Sequence, residues 1–100
     1  MEIIFKKSFI KNLLLTPKHI QDNVGKIIKV LESADTLESA PLDVKRMAGQ
    51  NKNESYYRIK IGDWRIGVKY IKPDVILMII LHRGTIYKKW PPNDSRLLRE

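Results

Sequence analysis

The side chains in this sequence best suited to chemistry are cations at short, regular spacing. Arg58 and Lys60 flank Ile59, Arg65 follows just beyond a Gly62-Asp63 pair, and His82-Arg83 precedes Tyr87, Lys88, Lys89 and Trp90. Such a set suits phosphodiester chemistry in RNA, where a 2′-hydroxyl attacks the neighbouring phosphorus and negative charge builds on the equatorial oxygens. Arginines aimed at those oxygens supply electrostatic stabilisation, and one lost donor costs on the order of a hundredfold or more in rate. Rings such as Tyr87 or Trp90 can stack an unpaired base, which favours a single strand over a duplex. Proton carriers are fewer. His82 is the only nearby side chain whose ordinary titration range spans neutral pH; Lys60, between Arg58 and Arg65, is a candidate base, and Tyr87 can donate to the leaving oxygen. Plainer readings stand beside these, with Trp64 in the core, His82 structural at a strand end, and Tyr87 and Trp90 covering an apolar strand.

Other chemistries lack their residues. Two distant histidines and no cysteine cannot make an ordinary zinc site, and disulfide or thiol chemistry is ruled out. There is no glycine-rich phosphate loop, no positioned serine triad and no carboxylate pair on a strand face. No metal or cofactor is expected.

The cations need strands to hold them. Tyr57-Arg58-Ile59-Lys60-Ile61 alternates apolar and basic residues, so one side is apolar and the other cationic. Gly62-Asp63, with glycine first, is the chemistry of a two-residue type II′ hairpin loop. That loop sets Ile61 opposite Trp64, Lys60 opposite Arg65, Ile59 opposite Ile66 and Arg58 opposite Gly67. Gly67 then leaves a side-chain-free spot beside Arg58, where a ligand could approach the backbone. After a turn at Lys72-Pro73-Asp74, the apolar run Val75 to Leu81 reads as a buried strand completing a three-stranded antiparallel meander. A three-residue turn pairs Arg65 with Leu81 and brings Arg83 to the cationic face; two or four residues would bring His82 there instead. The spacing favours Arg83.

The N-terminal half reads as support. Glu2 to Phe5 is a short strand of the same sheet, and Ser8 can cap a helix with Phe9, Ile10, Leu13 and Leu14 as its buried stripe. Thr16-Pro17 starts a second helix, with Pro17 at its first position and Ile20, Val24, Ile27, Ile28 and Leu31 at helical spacing to about Ala34. Residues 35–55 form a connection whose middle, Leu42 to Met47, can join the sheet. Pro91-Pro92 stops regular structure, and 96–100 is too short for a stable helix. The fold class is α+β: an N-terminal strand and a helical hairpin packed on an antiparallel sheet, in one domain spanning 1–100.

Charge follows the same division. Residues 1–43 hold six Lys and six acids, whereas residues 44–100 hold thirteen Lys or Arg and five acids, so the formal +8 lies in the meander half. A one-sided basic field fits a polyanion, nucleic acid first and an acidic protein second. The longest apolar run falls far below the roughly 20 residues that span a bilayer, so a soluble, cytoplasmic protein without a membrane partner is expected.

The segment RIKIGDWRIGVKY, the preceding Met47-Ala48-Gly49 and the later HRGTIYKKW together resemble the RelE/ParE superfamily of toxins of type II toxin-antitoxin pairs. The resemblance implies a microbial-ribonuclease-like fold and, in the RelE branch, a toxin that enters the ribosomal A site and cuts messenger RNA without a metal. By this resemblance Arg58 and Lys60 match the two basic strand positions, Arg65 the arginine after the hairpin, Arg83 the arginine ending the last strand, and Tyr87 the tyrosine. Lys60, Arg65, Arg83 and Tyr87 are thus the catalytic candidates; Arg58, His82, Lys88, Lys89 and Trp90 are the RNA-contact candidates. Position 58 is Arg where the best-studied pattern has Lys, and Tyr87 lies closer to Arg83 than in that pattern. The implied partners are a cognate antitoxin, the ribosome and messenger RNA, the antitoxin covering part of the face of Leu77, Ile79 and Leu81. The alternative is the gyrase-poisoning branch, whose partner is DNA gyrase and which lacks nuclease activity.

Overall fold

The computed structural model describes residues 1–47 and 55–91, without the side chain of Tyr87. Five strands form one sheet in the order β1-β5-β4-β3-β2, where β1 is Glu2–Phe5, β2 Val44–Arg46, β3 Tyr56–Ile61, β4 Trp64–Ile71 and β5 Asp74–His82. All neighbours are antiparallel except β1, which runs parallel to β5 at the edge. Helices α1 (Lys7–Leu14) and α2 (Lys18–Ser33) pack on one face, and α3 (Arg83–Lys89) follows β5. Among the described residues no helix is long and apolar enough to cross a membrane.

The β3–β4 register is the expected one, Ile61 facing Trp64, Lys60 facing Arg65 and Arg58 facing Gly67. Gly62 has φ +58° and no other described residue has positive φ, so Asp63 takes the ordinary second position of a type II′ turn. Arg65 does face Leu81, but by another route. The β4–β5 turn holds two residues, Lys72-Pro73, not three. A bulge then restores the count: Gly67 faces Ile79 while Val68 faces Leu77, leaving Met78 as the extra residue on β5. The bulge also explains why an unbroken apolar run can serve one core. Before it Val75 and Leu77 face inward, and after it Ile80 does, all fully buried.

Ser8 is tied to that bulge and does not cap α1. It sits inside the helix, and its Oγ donates to the Met78 carbonyl at 2.6 Å, while the Lys6 N–H donates to the Leu77 carbonyl at 3.0 Å. The Ser8 hydroxyl thereby satisfies the carbonyl of the bulged Met78, and the Lys6 N–H extends the parallel β1–β5 ladder by one bond.

Neither helix has a side-chain N-cap, so packing holds them. In α2, Ile20, Val24, Ile27 and Leu31 are buried at helical spacing, each worth roughly 1.5–3 kcal/mol against exposure, more than a cap supplies. Pro17 flanks α2 one residue outside its expected place, and the Thr16 Oγ1 turns back to the Leu13 carbonyl at 2.7 Å. In α1 only part of the expected stripe is buried. Phe9 is fully covered and Leu13 half-buried, but Ile10 and Leu14 are 41% and 69% exposed. Leu15, Phe5 and Ile4 are exposed as well, so most of the uncovered apolar surface lies on α1 and β1, with Ile71 at the end of β4 apart from it. Of the face expected to be covered by a partner, Leu77 is fully buried, while Ile79 and Leu81 are half-buried.

Candidate nucleic-acid interface

Strand pairing alone gathers the cations. On the sheet face away from α1 and α2, Lys45 of β2 lies opposite Arg58 of β3, and Lys60 of β3 opposite Arg65 of β4. Tyr56 and Lys69 make the next pair on that face. Like charges set directly opposite destabilise a sheet, and two local devices relieve them here.

The first device is Asp43, just before β2. Its Oδ1 accepts from the Arg58 Nη1 at 2.9 Å, and its carbonyl accepts from the same nitrogen at 3.1 Å and from the Lys60 N–H at 2.9 Å. The Arg58 hydrogen bond, joined by the charges of Arg58, Lys60 and Arg65, holds the Asp43 carboxyl below the usual aspartate range against a partial desolvation. One carboxylate thus feels three of the candidate cations. The second device is the hairpin turn: Arg65 is 8% exposed, and its Nη1 donates to the Gly62 and Trp64 carbonyls at 2.8 and 2.9 Å. Its Nε is buried without a hydrogen-bond partner among the described residues. Lys60 is exposed, and no carboxylate pairs with it among those residues.

Helix α3, which periodicity did not reveal, positions the remaining candidates. His82 is its N-cap, its Nδ1 accepting from the Gly84 N–H at 3.3 Å, and its ring meets Trp64 edge-on at 5.7 Å. His82 pairs with Trp64 and so points away from the cationic face. Arg83 is placed as the first residue of α3, not by strand alternation. Its N–H donates to the Asp63 carbonyl at 2.8 Å, which sets it beside the hairpin turn, and its Nε lies 3.8 Å from the Asp63 carboxylate, both side chains well exposed. Such an exposed pair is worth at most about 1 kcal/mol and leaves Arg83 accessible. Lys88 and Lys89 lie in the last turn of α3, where cations favour the negative end of the helix. Tyr87 lies in this helix, and its side chain is outside the described residues.

Trp90 departs from its base-stacking role and takes the plainer one, covering the sheet. It is 4% exposed, its Nε1 donates to the Tyr57 carbonyl at 2.8 Å, and Tyr56 meets it edge-on at 5.3 Å. The bare spot at Gly67 is its seat, not a ligand site: a Cβ there would lie 2.5 Å from the Trp90 Cδ2. Glycine permits a close approach here, but the approaching group is the protein's own indole. A cavity of about 610 Å³ lined by Glu38, Tyr57, Lys69, Tyr70 and Lys72, among others, includes none of Arg58, Lys60, Arg65 or Arg83. Lys60 and Arg83 stand on open surface, whereas Arg58 is largely covered and Arg65 is buried.

No family model matches the chain. Toxin RelE3 of Methanocaldococcus jannaschii is 34% identical over 91 residues, which span 91% of this chain and all of that protein. This chain belongs to the RelE toxin family. RelE in the crystal structure of a RelB-RelE antitoxin-toxin complex from Methanococcus jannaschii is 33% identical, with a TM-score of 0.73 over 88% of this chain and 99% of that one. YafQ from Escherichia coli, 14% identical with a TM-score of 0.66 over 86% and 97% of the two chains, shares the fold. Against the RelE pattern, the strand cations of this member meet on one face while Trp90 is internal. Three residues of that face escaped sequence reasoning. Lys45 and Lys69 become members only through strand pairing, and Asp43 drew no notice because it is a lone acid before a short strand whose partner lies beyond a long connection.

Proposed function

We propose that this protein is the toxin of a toxin-antitoxin pair and that it cuts messenger RNA on the ribosome. The observation that carries the reading is the cross-strand set Lys45, Arg58 and Lys60 on one face, braced by the buried Arg65 and next to Arg83 at the hairpin turn. A phosphodiester laid along β3 meets Arg58 and Lys60 first. In the reaction the 2′-oxygen bonds to phosphorus as its proton passes to a base, for which Lys60 is the choice, and the bond to the 5′-oxygen breaks as that oxygen takes up a proton. The arginines stabilise the charge on the equatorial oxygens. Arg65 contributes by holding the hairpin turn through two carbonyls, so that Lys60 and Arg58 keep their places.

A cognate antitoxin fits both the RelB-RelE complexes among the similar structures and the apolar side chains left open on α1 and β1. The direct test is cleavage of messenger on programmed ribosomes by the wild type and Lys60→Ala. A loss on the order of a hundredfold is expected, with an unchanged melting midpoint because Lys60 is exposed. Growth arrest by a wild type that cuts nothing would falsify the nuclease reading, and equal cleavage by both proteins would remove Lys60 from the role of base.

A further inference from the structure

Among the described residues Asp43 is the one acid that the strand cations share, and its geometry is that of a removable occupant. Its backbone is fixed by the carbonyl, which accepts from the Lys60 N–H and the Arg58 Nη1. Among the described residues its side chain is held only by the same Arg58 nitrogen at 2.9 Å, and it is 56% exposed, against 14% for Arg58. The carboxylate can therefore rotate away while the β2–β3 connection stays in place. Arg58, whose stem is largely covered, stays where it is and offers the vacated hydrogen bond to another oxyanion. Facing Lys45 across the strands, Arg58 needs some anion beside it. A phosphate oxygen satisfies the same donor with the same charge-assisted bond.

We propose that in the free protein the Asp43 carboxylate holds the position on Arg58 that a backbone phosphate of single-stranded RNA takes, and that RNA binding displaces it. The inference rests on the RNA-directed reading above and adds a built-in competitor to it. Asp43 is a positioning residue that keeps Arg58 aimed and neutralised until the polymer arrives. Its depressed pKa accords with this, since the same cations that would hold a phosphate hold the carboxylate ionised.

The test uses the whole chain and a short 2′-O-methyl RNA oligonucleotide, which cannot be cut. Affinity is measured by fluorescence anisotropy at fixed low salt for the wild type, Asp43→Asn, Arg58→Gln and the double variant, with circular dichroism confirming the fold of each. Asp22→Asn makes the same change of charge on α2, and Asp22 pairs only with Lys18, at 3.3 Å. Asp43→Asn is expected to bind about fivefold tighter than the wild type, the upper range for losing a largely exposed ionic competitor. Asp22→Asn should change affinity much less, and in the Arg58→Gln background the Asp43 gain should vanish. A gain shared by Asp22→Asn, or one that persists without Arg58, overturns the displacement idea by showing a general charge effect. Weaker binding by Asp43→Asn overturns it by making Asp43 a plain structural tie. In those cases RNA binding by the wild type leaves the RNA-directed reading standing; failure of every variant to bind RNA overturns the displacement idea, while cleavage on programmed ribosomes decides the reading it rests on.

Discussion

The two faces of the β3–β4 hairpin are closed in different ways. Ile59, Ile66 and Val68 lie on the inner face and are fully buried under the helical hairpin. The outer face carries Arg58, Lys60 and Arg65, and the described residues cover it mainly at Gly67, where Trp90 reaches back from the end of α3. The inner face is sealed by repetition of pattern. The outer face is covered in part by α3, through Ile86 and Trp90, and is otherwise left to charge. Stability and anion binding are thus assigned to opposite sides of the same strands, and substitutions should separate them.

The sharpest way to break that division is to remove the seal. Trp90→Ala is expected to cost about 3–5 kcal/mol in a urea titration, although the residue lies on the side assigned to function. Gly67→Ala attacks the same contact from below, with its Cβ 2.5 Å from the indole and 2.6 Å from the Ile79 Cγ2, and is expected to cost about 1–3 kcal/mol. The two together should cost less than their sum, since each removes the same seat. Full additivity would show that Trp90 and Gly67 act independently.

A smaller loss is expected at the bulge. Ser8→Ala removes the donor to the Met78 carbonyl and should cost about 1 kcal/mol by equilibrium unfolding. An unchanged midpoint would mean that the bulge keeps its place without the hydroxyl. The smallest effect is expected from acid. Because Arg58 lowers the Asp43 pKa in the folded state, its tie contributes above the ordinary aspartate range and is lost as pH falls through the lowered value. Melting curves of the wild type and Asp43→Asn should therefore stay apart near neutral pH and converge in strong acid. A difference that does not change with pH would detach the tie from the charge of Asp43.

The inner face was legible because its signals are local. Alternation from Tyr57 to Ile61 and the Gly62-Asp63 turn determine the hairpin register, and the spacing of Ile20, Val24, Ile27 and Leu31 determines which side of α2 is buried. The partnering of Arg65 with Leu81 was expected from a three-residue turn and is reached by a two-residue turn and a bulge, since an apolar run gives no sign of where a strand breaks step. Ser8 precedes a helical stripe and so resembles a cap, yet its partner is on a strand far along the chain. The outer face was legible in composition but not in assignment. Nothing local marks Trp90 as internal, because Ile86 and Trp90 acquire their burial only by folding α3 back over β4 and β5. The same holds for Asp43, whose neighbours Arg58 and Lys60 lie across the β2–β3 pairing.

The claim at the centre of this account is that the polymer meets the outer face of β3. The most direct measurement is a nuclear magnetic resonance titration of the labelled protein with the uncleavable RNA oligonucleotide, following backbone amides. Shifts centred on Lys45, Arg58, Lys60 and Arg83, with little change at Ile10, Leu14 and Leu15, are predicted. Shifts centred instead on α1 and β1, with the strand cations undisturbed, would contradict it.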